Sequence, residues 1–586
     1  MSEEYDILIM DVSVIDGIGA DAFRGSIAVK GERIVAMGEL KGDAETVIDA
    51  DGLVATPGFV DVHNHGDLSI LYYPEAEGFV RQGITTFVGG NCGTSPGPYS
   101  DYVDQYYFHY DLYNSVAPDM YYPKKLLRRE LVNDKHRELY GWEIDWHTMG
   151  EFFERVEANG LTPNYVPIVG HGDIRYFVMG PDFRRKATKK EARALEVKVH
   201  EAMKDGCRGI SVGRDYEPGF YAEFEELIAC AKVAAQYGGV YTSHSLRTGL
   251  RRDRRPGEFP PPKIKGILEA IDVGRLCKMP VQISHLSPLY DVWPSGSEVM
   301  SETSVKATLK AIDDARESGI DVNFDIIPHH LTGGIYTSPW LVGLLLPWLR
   351  VSGSREKLAE ALRMREFRTE IRQTIMNGKW YGLNPNINPD WAGRSTIVSC
   401  KDQRFIEKTV NQASEELSLD PIETLMEILT VDPYTKSVRK GEDDSTKLMF
   451  YGHPGMMIGI DTFALDDKWE CRNPPWYLPN ENSYGGFPRY FRRAVRETGT
   501  LKLEEAVRKV TSLPARKFKL EDRGVLMKGA YADIVVMDPE TVTDRGDQLN
   551  PCRYPAGIEH VIVNGILVVD ENKHTGAKPG KILRRE

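Results

Sequence analysis

The sequence predicts an α/β fold: a (β/α)8 TIM-like barrel with a small β-sandwich domain built from both termini. Eight short apolar segments alternate with helical stretches through the middle of the chain, the form of a parallel sheet covered by helices. Short strand-like segments parted by glycine turns stand near both ends. A third observation locates the chemistry, because the candidate reactive residues fall at the C-terminal ends of the eight segments, where barrel active sites are built.

Near the N-terminus, Ile7-Leu8-Ile9-Met10, residues 25–29 and residues 33–37 read as short strands, and the same texture returns in residues 532–537 and 560–569. Neither piece is large enough to bury a core alone, so 1–56 and 515–586 are expected to pack as one composite domain, with the termini meeting. Over 57–514 the barrel strands begin near Gly58, Thr85, Tyr165, Gly209, Gly239, Val281, Val322 and Met457, and eight strands close a barrel. Two intervals are too wide for a simple helical return, which predicts insertions at about 97–160 and 331–450. The first carries Tyr102, Tyr106, Tyr107, Phe108, Tyr110, Tyr113, Tyr121 and Tyr122, suiting a lid or a homo-oligomer interface, with a plain surface patch as the alternative.

The chain of 586 residues is 41% hydrophobic and 27% charged, ordinary for a globular protein. A net charge of -13 argues against a nucleic-acid surface, which needs an excess of Lys and Arg. The acidic start, Met1-Ser2-Glu3-Glu4, lacks the features of a secretory signal, and a cytoplasmic location is expected. The longest apolar run, 340–349, is broken by Gly343 and Pro347 and falls short of the roughly 20 residues that span a bilayer. Seven cysteines, an odd number without clustered spacing, argue against a disulfide framework. The expected partner is a small-molecule substrate.

His63 and His65 end the first predicted strand, Cys92 the second, His244 the fifth, His285 the sixth and Asp461 the eighth. Residues two apart on a strand point the same way, so the His63 and His65 imidazoles can reach one ion. Taken singly, His244 and His285 are as readily structural histidines, and Cys92 a small buried residue. Together they make a zinc site, in which a thiolate with two imidazoles leaves a position open for a water nucleophile. Asp461 is the expected proton carrier, taking a proton from that water and passing it to the departing nitrogen; an aspartate capping a helix is the alternative.

These residues, with Pro57-Gly58-Phe59-Val60-Asp61 before His63, Gly90-Asn91-Cys92-Gly93, Gly213-Arg214-Asp215-Tyr216, Gln282-Ile283-Ser284-His285 and Tyr484-Gly485-Gly486-Phe487-Pro488-Arg489, resemble the amidohydrolase superfamily, and within it the N-acyl-D-amino-acid deacylase (D-aminoacylase) family. The resemblance implies a zinc-dependent hydrolase of non-peptide C–N bonds. It assigns Cys92, His244 and His285 to a tight zinc, His63 and His65 to a second, weaker position, and the catalytic role to Asp461.

The departures concern the substrate. The resemblance implies a Lys two residues after the sixth-strand histidine and an Arg before the Tyr-Gly segment, both serving a substrate carboxylate; Ser287 and Asn482 stand there. Loss of two cations removes charge-assisted bonds to a carboxylate. Either Arg247 or Arg175 replaces them, or the substrate has no carboxylate and His329 and His330 bond a different group. The leading expectation is amide hydrolysis with an altered carboxylate site. Cyclic-amide hydrolysis or deamination on the same scaffold is the alternative, and an inactive binding scaffold comes last because every expected ligand is retained.

Overall fold

The computed structural model describes residues 4–40, 42–104, 126–215, 217–245, 262–286, 298–329, 340–380, 383–386, 390–439, 444–467, 481–547 and 550–585. The aromatics from Tyr106 to Tyr122, and with them the expected lid or interface, lie outside these residues, as do Tyr216, Arg247, Ser287 and His330.

Strands Glu4–Val14, Phe23–Lys30, Arg33–Gly38, Asp43–Asp49 and Val54–Pro57 join Ile534–Met537, Ile558–Val563, Ile566–Asp570 and Lys573–His574 in one nine-stranded sheet. The two ends of the chain meet where Val54–Pro57 pairs antiparallel with Ile534–Met537, Pro57 opposite Ile534. Ile7, Ile9, Val12 and Val14 share one core with Ala532, Ile534, Val536 and Ile562. The inward residues change from odd to even numbers because Asp11, at φ 52°, sits in a bulge between Ile9 and Val12. One extra residue resets the two-residue period and keeps all four side chains on one face.

The barrel strands are Phe59–Asp61, Ile84–Gly89, Asn164–Pro167 continuing as Val169–Gly170, Gly209–Gly213, Val240–His244, Val281–Ile283, Val322–Ile326 and Met456–Ile458. Neighbours run parallel, and the third strand breaks at Ile168, so its two halves belong to ladders of three and six strands. The eighth strand closes on the first through the Val62 N–H on the Ile458 carbonyl, 3.4 Å, and the Asp461 N–H on the His63 carbonyl, 2.9 Å. Helices Lys189–Asp205, Phe224–Gln236, Pro262–Cys277 and Glu298–Glu317 make the returns from the third strand to the seventh. The first of these shows how the returns are delimited: Thr188 and Glu191 form a capping box at its start, and Gly206, at φ 110°, ends it.

The described residues of 340–439, within the second long interval, fold as short helices and a two-stranded ladder with a separate core that includes Trp340, Leu341, Ile371, Trp391 and Leu425. No helix among the described residues is long and apolar enough to cross a membrane.

Candidate metal centre

The first strand ends at Asp61, and its carboxylate organises the turn that carries the two histidines. Oδ1 accepts the N–H groups of His63, 3.1 Å, and Ile460, 3.2 Å, while Oδ2 accepts Asn64 Nδ2 at 2.6 Å. Burial pushes the Asp61 carboxyl up to about 8 against the pull of these donors. The His65 N–H bonds the Thr462 carbonyl at 2.9 Å, so the ends of strands one and eight are laced together.

Cys92 sits in a turn that only glycines allow. At Gly90, φ 93°, a Cβ would stand 1.8 Å from the Ile168 carbonyl oxygen. Ser211 clamps the turn, its Oγ accepting the Gly93 N–H at 2.8 Å and donating to the Gly90 carbonyl. Cys92, His285 and Asp461 all adopt positive φ, 57°, 36° and 48°. Such conformations cost about 1–3 kcal/mol each in non-glycine residues and gather where function over-determines the backbone.

The side chains converge. Cys92 Sγ lies 3.2 Å from His63 Nε2, 3.4 Å from His244 Nδ1 and 3.4 Å from His285 Nε2. Asp461 Oδ1 lies 3.2 Å from His65 Nε2 and 3.5 Å from His63 Nε2. Every one of these residues is buried. Burial alone would raise the Asp461 carboxyl, but His63, His65 and His244 outweigh it and hold it at about 2.

A metal fits this donor set. Zinc–sulfur and zinc–nitrogen bonds of roughly 2.3 and 2.0 Å at the tetrahedral angle separate sulfur from nitrogen by about 3.5 Å, close to the sulfur–nitrogen distances around Cys92. A thiol among imidazoles is also the soft, borderline ligation that zinc takes. The donor atoms of His63, Cys92 and His285 lie within 4.8 Å of one another, and so do those of His63, His65 and Asp461. His63 therefore stands in both groups, whereas the resemblance set it with His65 alone.

Two carboxylates to which the sequence reading gave no role stand behind the imidazoles. Asp325 Oδ2 is 3.5 Å from His63 Nδ1, and Asp215 Oδ2 is 3.7 Å from His244 Nε2. Their position at or just beyond strand ends was visible in the sequence, but the imidazole each faces belongs to another strand.

Arg175 is not brought to this cluster. It is fully buried, and all four terminal N–H groups are committed, to Glu226 Oε1 and Oε2 at 2.7 and 2.6 Å and to the Phe183 and Arg185 carbonyls at 2.9 and 2.6 Å. His171 Nε2 shares that Glu226, at 2.9 Å. His329 and Asn482 do come together: Asn482 Oδ1 faces His329 Nδ1 at 2.7 Å and accepts its N–H at 3.2 Å. The other ring nitrogen of His329 faces Asp544 Oδ2 at 3.2 Å, and Asp544 also accepts Arg492 Nε at 2.9 Å and pairs with Arg489 at 3.5 Å.

Comparison with known proteins places the whole chain in a family. The sequence profile of the amidohydrolase family matches residues 476–569. The chain is 30% identical to N-acyl-D-glutamate deacylase of Alcaligenes xylosoxydans xylosoxydans over 588 residues, 100% of this chain and 98% of the relative. A solved structure of N-acyl-D-glutamate deacylase from Bordetella bronchiseptica, complexed with zinc and a phosphonate mimic of the tetrahedral intermediate, superposes with TM-score 0.70 at 26% identity, covering 99% of this chain and 100% of that one. A D-aminoacylase structure with a binuclear metal centre superposes equally, TM-score 0.70 at 27% identity, with the same coverage.

Proposed function

This chain belongs to the N-acyl-D-amino-acid deacylase family of amidohydrolases, and from that membership we propose that it hydrolyses the amide bond of a small N-acyl compound by zinc-activated water. The observation that carries the reading is the convergence of Cys92 Sγ on imidazole nitrogens of His63, His244 and His285 within 3.4 Å, with Asp461 beside them. Zinc held by Cys92, His244 and His285, with His63 and His65 serving a second position, would supply Lewis acidity toward water and carbonyl.

The protein's own part is positioning and proton transfer. Asp461, whose Oδ1 lies 3.2 Å from His65 Nε2 and 3.5 Å from His63 Nε2, is the base that accepts a proton from the attacking water. The same carboxyl then returns that proton to the departing nitrogen, since an amide anion is too poor a leaving group. Both steps use one side chain because strand eight is laced to strand one, which holds Asp461 Oδ1 within 3.5 Å of both His63 and His65.

The substrate of this reading lacks the α-carboxylate. Among the described residues, Arg175 is matched by Glu226, and Arg492 and Arg489 are paired with Asp544. Asn482 and Ser287 are neutral where the resemblance implies cations. The test is a hydrolysis panel on zinc-loaded protein, pairing N-acyl-D-amino acids with N-acyl amines of the same acyl group. Preference for the amines, with acyl acid released, is the expected result. Preference for the acids would return the protein to conventional deacylation, and ring opening or ammonia release without either would move it to cyclic-amide hydrolysis or deamination.

A further inference from the structure

Asp325 occupies a position that the proposed reaction does not use. It is the last residue but one of the seventh barrel strand, Val322–Ile326, with its side chain completely buried. Oδ1 accepts Gln282 Nε2 from the sixth strand at 2.8 Å, and Oδ2 accepts the His285 N–H at 2.7 Å. The same Oδ2 lies 3.5 Å from His63 Nδ1, the ring nitrogen turned away from Cys92 and Asp461.

We propose that Asp325 is the positioning carboxylate of the metal centre, orienting the His63 ring from behind and pinning the His285 backbone, and thereby setting the affinity of the whole donor set. Three features support it. The His63 ring stands between Asp325 and the cluster, so Asp325 faces the outer nitrogen while Nε2 faces the donors. A carboxylate there favours the tautomer with the proton on Nδ1 and leaves the Nε2 lone pair for a metal. His285 is held at φ 36°, a conformation that needs an external restraint, and the bond from its N–H to Asp325 supplies one. Gly459 closes the fourth side: a Cβ there would stand 2.4 Å from His63 Cβ and 3.0 Å from Asp325 Oδ2, so the eighth strand reaches this contact only as glycine.

The inference rests on the zinc reading, and the experiment separates the two. Zinc affinity is measured by competition with a chromophoric chelator on full-length wild-type protein and on Asp325→Asn, which keeps the shape and removes the charge. Wild-type binding with a 10–100-fold weaker variant is expected, together with a weakened thiolate-to-metal charge-transfer band after cobalt loading and activity recovered by excess zinc. Equal affinity and equal cobalt spectra in a folded variant overturn the role of Asp325 while leaving the zinc reading intact. Failure of the wild type to bind zinc overturns both. If Asp325→Asn does not accumulate folded, the crystal structure of zinc-loaded wild type decides. Asp325 within hydrogen-bond distance of His63 Nδ1, with Nε2 on the metal, supports the assignment; Asp325 on the metal itself, or turned from His63, overturns it.

Discussion

Cys92 and Asp461 occupy left-handed backbone positions at the ends of strands two and eight, yet they are expected to fail differently. Cys92→Ala removes the sulfur on which three imidazoles converge, so tightly bound zinc and turnover should be lost together. Asp461→Asn leaves that group intact and removes the base, so the tightly bound zinc should persist while kcat falls about 10²–10⁴-fold. Elemental analysis with steady-state kinetics checks both. Retained zinc in Cys92→Ala would remove the thiol from the donor set, and normal turnover in Asp461→Asn would remove the carboxylate from the mechanism. At this scale the candidate ligands were legible, because His-x-His spacing and strand-end placement are local facts. The commitment of Arg175 was not: its partner Glu226 lies 51 residues away, and an arginine looks equally available in sequence whether or not it is paired.

Elements add constraints of their own. Helix Arg129–Tyr140 carries His136 into a buried aromatic group, its Nε2 3.0 Å from Tyr72 Oη and its ring 4.5 Å from Trp142 in an edge-on contact. Burial lowers the His136 imidazole to about 3. In the unfolded chain it titrates near 6.5, so between these values the unfolded state binds the extra proton and acidification removes stability, about 1.4 kcal/mol per pH unit at the steepest. Compared with His136→Phe, the metal-free wild type should lose denaturation midpoint progressively from pH 6.5 to pH 4, with the difference constant above pH 7. Parallel pH profiles in urea titrations of the two proteins would contradict this. The barrel strands were readable as elements because strands buried on both faces are continuous apolar runs. The bulge at Asp11 was not, since only pairing with a neighbouring strand shows that one residue is extra.

At the scale of the molecule, the terminal sheet and the barrel are joined by a buried polar seam. Asp533 pairs with Arg523 and accepts the Asn564 N–H at 2.8 Å, while Asn564 Nδ2 donates to Asn164 Oδ1, 2.8 Å, on the third barrel strand. Removing one partner leaves a buried charge uncompensated, so Asp533→Ala should cost about 3–5 kcal/mol of unfolding free energy. A cost below about 1 kcal/mol by chemical denaturation would show that the apolar packing alone joins the two parts. The eight-stranded barrel, the union of the two ends and the candidate metal ligands can be read from the chain alone, because each is written in local periodicity or spacing. Spacing along the chain does not show that His63 stands between two groups of donors, that Asp325 and Asp215 lie behind the imidazoles, or that Arg175 is already neutralised. Those are relations between residues on different strands, and they come into being when barrel closure brings the strand ends within a few ångströms.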